Sequence, residues 1–385
     1  MKLFLIIPSL GTGGAERVGV LLANGFCQRG HEVAVFANLQ MRQDYKLEEG
    51  IERYDIGKGR NKIHKWLNTI MTLRHFSKKG KPDVVIGIMS LCSLMGYIAT
   101  MGTNIPVVET IHSSLEKPSY APMSLWEKFY KFYLSRIYKI VTVLTEADRQ
   151  VISNNSRMVL MPNPLSLEPM IEIQHKRGNT ILAAGRLDDW HYKGFDVLIR
   201  AWARIVSSFK FLVSTDGWKL QIAGAGSEES LNYLKQLCKE NGVENSVDFL
   251  GFRKDVEKLY QEASIFVLSS RYEGFGLVLI EAMSQGCACV ACDYKGRQRE
   301  IMCPEGQGSK FNVQSSNNKV ELCDNGILCE PDDVESLAAG IQKMIEDGEY
   351  RENVRKNAIE RSKYYSIDNT MDRWEFLLKQ VTEVH

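Results

Sequence analysis

The chain lacks any apolar run long enough to cross a lipid bilayer. Runs such as Val84–Met89 are far shorter than the roughly 20 residues that a transmembrane helix needs. The first residues, Met1–Pro8, have the pattern of a buried strand and lack the layout of a secretory signal peptide. We therefore expect the protein to be cytoplasmic.

The sequence also lacks the paired Cys and His clusters that hold a structural metal ion. Three of its nine cysteines lie in Cys287-Ala-Cys289-Val-Ala-Cys292. Strand alternation would send Cys287 and Cys289 to one face and Cys292 to the other. No second cluster completes a tetrahedral set of ligands. We interpret these cysteines as reduced core thiols and predict no metal site.

The chain has almost no net charge overall, but its two halves carry net charges of opposite sign. The whole chain has a formal charge of +1. Residues 1–165 contain 21 Lys and Arg against 13 Asp and Glu, a charge of +8, which leaves −7 for the remainder. The N-terminal half therefore favours an anionic partner. Its basic residues are dispersed and accompany no recognition motif, so we exclude nucleic acid.

The length of 385 residues suits two domains rather than one core. Apolar segments of strand length alternate with segments of helical periodicity, which predicts mostly parallel sheets with helices on both faces. The predicted strands are 2–8, 31–36, 84–88, 107–109, 140–143, 181–184, 220–223, 247–250, 265–268 and 288–291. Met161-Pro-Asn-Pro164 interrupts the alternation. We predict an α/β protein of two Rossmann-like, doubly wound domains, 1–165 and 166–365, that face a central cleft.

Two further segments have a distinct pattern. Met302–Asp324 is polar, rich in Gly, Ser and Asn, and unusually long for a loop. It is either a mobile flap or a disordered insert, and its composition favours the insert. Ile367–Val381 has helical spacing and predicts a C-terminal helix.

Two glycine-rich loops follow predicted strands. Gly11-Thr-Gly-Gly-Ala-Glu16 is similar to a dinucleotide fingerprint, but Glu16 replaces the third glycine and no acidic residue ends the next strand. This excludes a nicotinamide site. The loop is either a tight turn or a place where the backbone of Gly13 and Gly14 approaches a phosphate or sugar. The loop at Gly224–Ser227 also lacks the third glycine.

The most informative segment is 269–285, in which a strand runs into a turn with Glu273, Gly274 and Gly276 and then into a helix carrying Glu281. Unpaired N–H groups and the positive end of the helix dipole attract an anion there. A carboxylate beside a phosphate site suits a ligand that has both phosphates and hydroxyl groups, such as a nucleotide sugar.

Two cations follow another predicted strand of the same domain. Arg186 ends the segment Ala184-Gly-Arg186, and Lys193 precedes a predicted helix seven residues later. They are either solvated surface cations or a clamp for a diphosphate.

Together these motifs resemble the retaining glycosyltransferases of family 4, which have the GT-B fold. The similar stretches are Gly-Thr-Gly-Gly-Ala-Glu-Arg at 11–17, Pro-Asn-Pro at 162–164, Ala-Gly-Arg at 184–186, Lys-Gly at 193–194, Ile-Ala-Gly-Ala-Gly-Ser at 222–227 and the paired glutamates of 273–281. The resemblance covers nearly the whole chain and is strongest in the C-terminal half. It implies that the C-terminal helix 366–385 packs back on the N-terminal domain.

The resemblance also implies roles for individual residues. Arg186 and Lys193 would hold the leaving diphosphate, Glu273 would bind a hydroxyl of the transferred sugar, and His112 would lie near that sugar, although Ser113 stands where many members have an acidic residue. These four are the expected catalytic residues. The expected donor-binding residues are Gly13, Gly14, Arg186, Lys193, Gly224, Phe252, Arg253, Gly274, Phe275, Gly276, Leu277 and Glu281, with Glu281 on the ribose and Phe252 and Arg253 near the base.

The implied activity is retaining transfer of a hexose or N-acetylhexosamine from a nucleotide-diphosphate sugar, with a UDP-sugar preferred, in surface polysaccharide biosynthesis. The acceptor would be a glycan or a polyprenyl-diphosphate-linked glycan. No metal and no cofactor beyond the nucleotide sugar are expected. A nucleotide-sugar epimerase and a non-catalytic nucleotide-sugar binding protein are the alternatives.

A mixed aromatic and basic segment raises the question of membrane contact. Trp126–Lys139 places aromatic residues and cations at helical spacing. Either its aromatic face lies in the core with the cations solvated, or it is a peripheral helix on the anionic inner face of the cytoplasmic membrane.

Overall fold

The computed structural model describes residues 1–11, 13–152, 157–171, 177–208, 217–304, 314–315 and 318–383. The chain divides into two compact units, Met1–Ser166 with Ser366–His385, and Leu167–Tyr365. Each unit is built on its own sheet.

The first unit has a seven-stranded parallel sheet. Its strands are β1 (Lys2–Ser9), β2 (Glu32–Asn38), β3 (Glu52–Asp55), β4 (Val84–Ile88), β5 (Val107–Thr110), β6 (Ile140–Val143) and β7 (Met158–Leu160). Their order is β3-β2-β1-β4-β5-β6-β7. The order reverses between β1 and β4, so the loops after these strands open a crevice at the carboxyl edge of the sheet.

Helices cover this sheet, and the C-terminal helix is part of the unit. The helices are α1 (Gly14–Gln28), α2 (Lys62–Gly80), α3 (Ser90–Thr100), α4 (Leu125–Lys128), α5 (Glu146–Val151) and the C-terminal α14 (Ile367–Glu383). After α4 the chain continues as a π-helical turn over Phe129–Tyr133 and a 3₁₀ turn over Leu134–Ile137. α14 packs on α1, where the rings of Phe26 and Trp374 meet edge to face at 6.1 Å.

The second unit has an eight-stranded mixed sheet. Its strands are β8 (Gly178–Ala184), β9 (Lys219–Ala223), β10 (Val247–Gly251), β11 (Ala263–Leu268), β12 (Ala288–Cys292), β13 (Gln314–Ser315), β14 (Asn318–Cys323) and β15 (Gly326–Cys329). Their order is β10-β9-β8-β11-β12-β15-β14-β13. β14 runs antiparallel to both of its neighbours, and the other pairs are parallel. Residues at the ends of adjacent strands are in register, as Ala184 is with Ala223 and Leu268 with Ala291, so the loops that follow them lie along one edge.

Helices pack on this second sheet around a core that includes a fully buried tryptophan. The helices are α6 (Trp190–Lys193), α7 (Phe195–Ser208), α8 (Glu228–Glu240), α9 (Val256–Glu262), α10 (Leu277–Ser284), α11 (Arg297–Met302), α12 (Val334–Glu346) and α13 (Gly348–Ser362). Trp202 of α7 is fully buried and donates its indole N–H to Ser246 Oγ at 2.9 Å. The partner satisfies the polar end of a large apolar side chain.

The structure confirms the α/β class and the two doubly wound sheets, and each predicted strand overlaps an observed one. It also confirms the C-terminal helix and the interpretation of Cys287, Cys289 and Cys292 as buried free thiols. The prediction of a disordered insert over Met302–Asp324 was wrong for the part that forms β14. Its residues 305–313 and 316–317 lie outside the described residues.

Candidate active site

An ion pair lies at the carboxyl edge of the second sheet. Lys193 Nζ is 2.6 Å from Glu273 Oε1, and the Ser270 hydroxyl donates to the same oxygen at 2.8 Å. The Glu273 side chain is 11% exposed and that of Lys193 is 24% exposed. The structure therefore brings together two of the predicted catalytic residues, a cation and a carboxylate that can both reach a ligand.

Close backbone contacts at three glycines hold the loops of this edge together. A Cβ at Gly224 would lie 1.7 Å from Gly185 O, so the loops after β8 and β9 touch without room for a side chain. A Cβ at Gly194, which has φ +64°, would lie 2.0 Å from Ser269 O. The loop carrying Lys193 is thereby packed against the loop carrying Glu273. Gly224 acts here as a packing residue, which does not require ligand contact.

A buried arginine that the sequence analysis missed fixes the same two loops. Arg271 is 7% exposed and forms a bidentate pair with Asp196, with Nη1–Oδ1 at 2.6 Å and Nη2–Oδ2 at 2.8 Å. Its Nε donates to Asp332 Oδ1 at 2.7 Å and its Nη1 to His191 O at 2.8 Å. Because His191 belongs to α6 and Arg271 stands two residues before Glu273, this arginine positions both members of the ion pair. The signal in the sequence was an arginine inside the 269–285 motif, because an arginine that is buried almost always has a charged partner.

The helix that follows the ion-pair loop begins without a side-chain cap. Gly276 is the N-cap of α10, with φ +92° and no side-chain hydrogen bond to the first turn. The N–H of Leu279 donates to Gly276 O at 2.9 Å, whereas the N-cap glycine offers no side-chain acceptor to the N–H groups of the first turn. Gln298, which is fully buried, has an Nε2 without a partner among the described residues, and that atom would lie 3.9 Å from a Cβ placed on Gly276. These donors lie near Gly274, Phe275, Gly276 and Leu277, and we name them the anion-binding surface because donors of this kind can hold an anion.

The second glutamate of the motif is more deeply buried than the first. Glu281 is 2% exposed, and the Tyr260 hydroxyl donates to its Oε2 at 3.3 Å. Glu281 is the fifth residue of α10, so it lies just over one turn into the helix.

Arg186 lies on the same edge but is exposed, in the loop after β8. The neighbouring Asp188 ties this loop to the next one, since its Oδ1 accepts from Ser227 N and Ser227 Oγ at 2.7 Å and from Ser230 Oγ at 2.9 Å. These hydrogen bonds lower the pKa of Asp188. Arg186 is thus exposed on an anchored loop, and its charge also helps to lower the pKa of Asp188.

Phe252 and Arg253 follow β10, three strand positions from β11, so they lie roughly 14 Å from the ion-pair loop along the edge. Phe252 is 55% exposed, and Arg253 pairs with Asp255 through two contacts of 2.8 and 2.6 Å. The structure does not bring them to Glu273.

In the first unit His112 follows β5 and has both ring nitrogens engaged. Nε2 is 2.8 Å from Thr110 Oγ1, and Nδ1 is 3.1 Å from Asn163 Oδ1. Burial lowers the pKa of His112 to about 4, and the contact with Asn163 offsets part of that shift. His112 is therefore a neutral ring at pH 7. A ligand would have to displace Thr110 or Asn163 before it could hydrogen-bond to a ring nitrogen.

The glycine loop after β1 ends at Gly13, the N-cap of α1. The Glu16 side chain folds over it, because a Cβ at Gly13 would lie 1.9 Å from Glu16 Oε2. A phosphate at Gly13 or Gly14 would meet this carboxylate, whereas a sugar hydroxyl could donate to it. Thr12 of the loop lies outside the described residues.

The segment Trp126–Lys139 differs from the interpretation that placed its aromatic residues in the core. Trp126 is 71% exposed and Tyr133 is 62% exposed. By contrast Lys131, which was expected in solvent, is 6% exposed and donates to Ser114 O at 2.7 Å. The π-helical turn after the short α4 changes the helical phase, so Lys131 turns inward. Tyr138, near the end of the segment, is 2% exposed and packs in the core.

Comparisons with known proteins match the whole chain. Residues 12–168 match the family model described as Glycosyltransferase Family 4, and residues 170–361 match the model described as Glycosyl transferases group 1. An uncharacterized glycosyltransferase of Haemophilus influenzae is 27% identical over 98% of this chain and 99% of its own length. A GalNAc-alpha-(1->4)-GalNAc-alpha-(1->3)-diNAcBac-PP-undecaprenol alpha-1,4-N-acetyl-D-galactosaminyltransferase of Campylobacter jejuni is 26% identical over 100% of this chain and 99% of its own length.

Solved structures share the fold at low sequence identity. Anabaena Alr3699/HepE in complex with UDP superposes with a TM-score of 0.76 at 20% identity, over 99% of this chain and 100% of that chain. Sucrose-phosphate synthase of Thermosynechococcus elongatus superposes with a TM-score of 0.79 at 18% identity, over the full length of both chains.

Proposed function

The chain belongs to the family 4 glycosyltransferases and has the GT-B fold, and from this premise we propose that it is a retaining, metal-independent hexosyltransferase. Its donor is a nucleotide-diphosphate sugar, with UDP-sugars preferred, and it transfers a hexose or N-acetylhexosamine. Its acceptor is a glycan or a polyprenyl-diphosphate-linked glycan in surface polysaccharide biosynthesis.

The pair of Lys193 and Glu273 beside the uncapped start of α10 is the observation that carries this proposal. A cation and free helix amides suit a diphosphate, and a carboxylate next to them suits the hydroxyl groups of the sugar attached to it. A simple phosphate ligand would be repelled by Glu273. A free sugar would leave the anion-binding surface unused.

The reaction follows from the charge that develops as the donor breaks. The anomeric C–O bond to the diphosphate opens through an oxocarbenium-like transition state while negative charge gathers on the leaving oxygen. Lys193, which its contact with Glu273 holds in place, the exposed Arg186 and the first amides of α10 are the donors that meet this charge. These two cations and the helix amides are why we propose that no metal is required.

Retention requires that the acceptor oxygen bond to the anomeric carbon on the face from which the diphosphate leaves. The acceptor hydroxyl then passes its proton to an oxygen of the departing diphosphate, so one C–O bond forms as the other breaks and the charge balances. His112 does not serve as the base in this scheme, because both of its ring nitrogens are held by protein partners. The protein contributes position and charge rather than a nucleophile.

The relatives support the choice of donor and acceptor. The solved neighbour that binds UDP supports a uridine donor. The Campylobacter relative bears the name of a transferase acting on an undecaprenol-linked glycan, and a relative of Erwinia amylovora, 23% identical, is named for amylovoran biosynthesis. An N-terminal half of charge +8 fits an acceptor that carries a diphosphate.

The proposal is tested by incubating the full chain with radiolabelled UDP-sugars, with and without a bacterial lipid extract, in buffer without added Mg²⁺ or Mn²⁺. We expect label in the lipid fraction, release of UDP in equal amount, and an α-configured product from an α-configured donor. Isomerised sugar without labelled lipid would indicate an epimerase. Donor binding without any turnover would indicate a binding protein.

We further propose that the first unit contacts an anionic membrane surface. α2 has five Lys and Arg and no Asp or Glu, and its Ile63, Leu67 and Met71 are 71%, 47% and 62% exposed at a spacing of four residues. Leu125 and Trp126 of α4 are 84% and 71% exposed. Cations around exposed apolar side chains are typical of helices that lie in the headgroup region. Among the described helices, none combines the length and apolarity that a membrane crossing needs.

The variant Leu125→Glu/Trp126→Glu is expected to lower partitioning onto anionic vesicles by at least about tenfold, because it removes two inserted apolar side chains and adds two repelled charges. Flotation with phosphatidylglycerol vesicles measures the effect. Phe376→Glu is the matched control, since Phe376 is 66% exposed on α14. Binding that is indifferent to lipid charge, or equally weakened by the control, would contradict the proposed surface.

A further inference from the structure

Three side chains that can ligate a metal converge away from the ion-pair loop. The Cys303 thiol, a carboxylate oxygen of Glu321 and the Cys323 thiol all lie within 4.8 Å of one another. Cys303 directly follows α11, and Glu321 and Cys323 point to the same face of β14 because they are two residues apart. The cluster thus joins the end of a helix to a strand of the sheet.

The spacing of these atoms fits a small tetrahedral ion. With Zn–S bonds of about 2.3 Å and Zn–O bonds of about 2.1 Å, ligand atoms around tetrahedral zinc are about 3.6 Å apart. Cys303 Sγ is 3.7 Å from Glu321 Oε1. Two thiolates and one carboxylate are ligands that zinc accepts, with water in the fourth position.

Electrostatics also favour a divalent ion over free thiolates. Cys303 is half-buried and Cys323 is 1% exposed, so free thiolates would be poorly solvated here. When one Zn²⁺ replaces the two thiol protons, however, the net charge of the cluster does not change. The positive charge of the ion therefore offsets the cost of burying two thiolates.

A neighbouring arginine orients the Glu321 carboxylate and still leaves it lone pairs for a metal ion. Arg299 Nη1 donates to Glu321 Oε1 at 2.6 Å, and Arg299 Nε is 3.2 Å from Asp293 Oδ2. Glu321 Oε1 has two lone pairs, so it can keep the hydrogen bond from Arg299 and bind the ion in place of the Cys303 thiol proton. A charged partner that holds a ligating carboxylate is a common outer-shell arrangement.

We propose that Cys303, Glu321 and Cys323 bind one thiophilic divalent cation, zinc, with water as the fourth ligand. The ion links α11 to β14. α11 carries Gln298, which lies beside Gly276 at the start of α10. The site is structural, separate from the proposed transfer chemistry, and does not depend on it.

The test uses the reduced full chain, stripped of metal and titrated with Co²⁺ and then Zn²⁺. We expect one equivalent of Co²⁺ to give thiolate-to-cobalt charge-transfer absorption, Zn²⁺ to displace it, and Zn²⁺ to raise the melting temperature. Cys303→Ser removes a half-buried ligand and is expected to abolish the absorption and weaken zinc binding more than tenfold. Cys27→Ser removes a half-buried thiol of the first unit and is expected to behave as the wild type.

Several results would overturn the site. These are no thiolate-to-cobalt absorption at one equivalent, zinc affinity unchanged in Cys303→Ser, or an equal loss in Cys27→Ser. A Cys303–Cys323 disulfide that forms under reducing buffer and persists with zinc present would also overturn it. Glu321→Gln keeps the shape of the side chain, and zinc binding unaffected by that change would remove Glu321 from the ligand set. Each readout is independent of transferase activity.

Discussion

Glu273→Ala is expected to lower kcat about 10²- to 10³-fold while leaving the affinity for UDP unchanged or higher. In the proposed reaction this carboxylate binds a hydroxyl of the transferred sugar, so its loss removes an interaction that stabilises the transition state. It also sits 2.6 Å from Lys193 and repels a diphosphate, so its removal frees the cation for the nucleotide. Steady-state kinetics and isothermal titration with UDP measure the two effects separately.

Lys193→Ala is expected to differ from Glu273→Ala in its effect on the affinity for UDP. It removes a donor to the diphosphate in both ground and transition states, so both kcat and UDP affinity should fall. Lys239→Ala is the matched control, because Lys239 is exposed near the end of α8. An unchanged kcat in Glu273→Ala, or a parallel fall in UDP affinity in both active-site variants, would contradict the roles given to the pair.

The position of the candidate site followed from sequence because parallel strands place their following loops on one edge. Arg186, Lys193, Gly224 and Glu273 each come after a strand or the loop beyond it, and the strand order brings these loops side by side. Local sequence patterns were therefore sufficient to predict that these loops lie on one edge of the sheet. Gly185 and Gly194 lie where two loops touch. The spacing of glycines in a sequence does not distinguish such a contact from a close approach of the backbone to a ligand.

The buried arginine shows what local patterns omit. Arg271 lies inside the most informative motif, yet its partners are Asp196 of α7 and Asp332 after β15, both more than 60 positions away in the chain. Those pairings depend on the fold rather than on spacing. The metal-ligating cluster has the same origin, since Cys303 and Cys323 are separated by twenty positions and meet only because β14 returns beside α11.

Exposure is the other property that the sequence left open. Aromatic residues at helical spacing suit a core and a membrane surface equally, and this segment contains both outcomes, with Trp126 exposed and Tyr138 buried. The strand β14 was missed because its Asn318, Lys319 and Glu321 are polar, a composition that an antiparallel strand with one solvated face accepts.

A buried carboxylate in the first unit is the basis of a second prediction of large effect. Glu109 on β5 is fully buried, and neither carboxylate oxygen has a hydrogen-bond partner among the described residues. It lies across from Gly87 of β4 and Val141 of β6. Burial raises the pKa of Glu109 to about 7, and Ser90 and Lys131 offset part of that shift.

Glu109→Gln is expected to change how the free energy of unfolding depends on pH. The folded pKa of about 7 lies above the ordinary value of 4.5, so the folded state holds a proton that the unfolded state loses as pH rises between these values. The wild type should therefore lose stability across this window relative to the variant. The loss should reach about 2.5 kcal/mol between pH 5 and pH 8 and level off above pH 7.

Urea unfolding of both proteins at pH 5, 6, 7 and 8 measures this difference, and comparison across pH cancels any constant cost of the buried amide. Glu49→Gln is the control, because Glu49 is exposed in the same unit. We expect it to track the wild type at every pH. A wild type that gains stability toward pH 8 relative to Glu109→Gln would mean that Glu109 is ionised and paired in the folded state. If Glu109 is instead protonated beneath α3 in the folded state, the wild type must lose stability toward pH 8 relative to the variant.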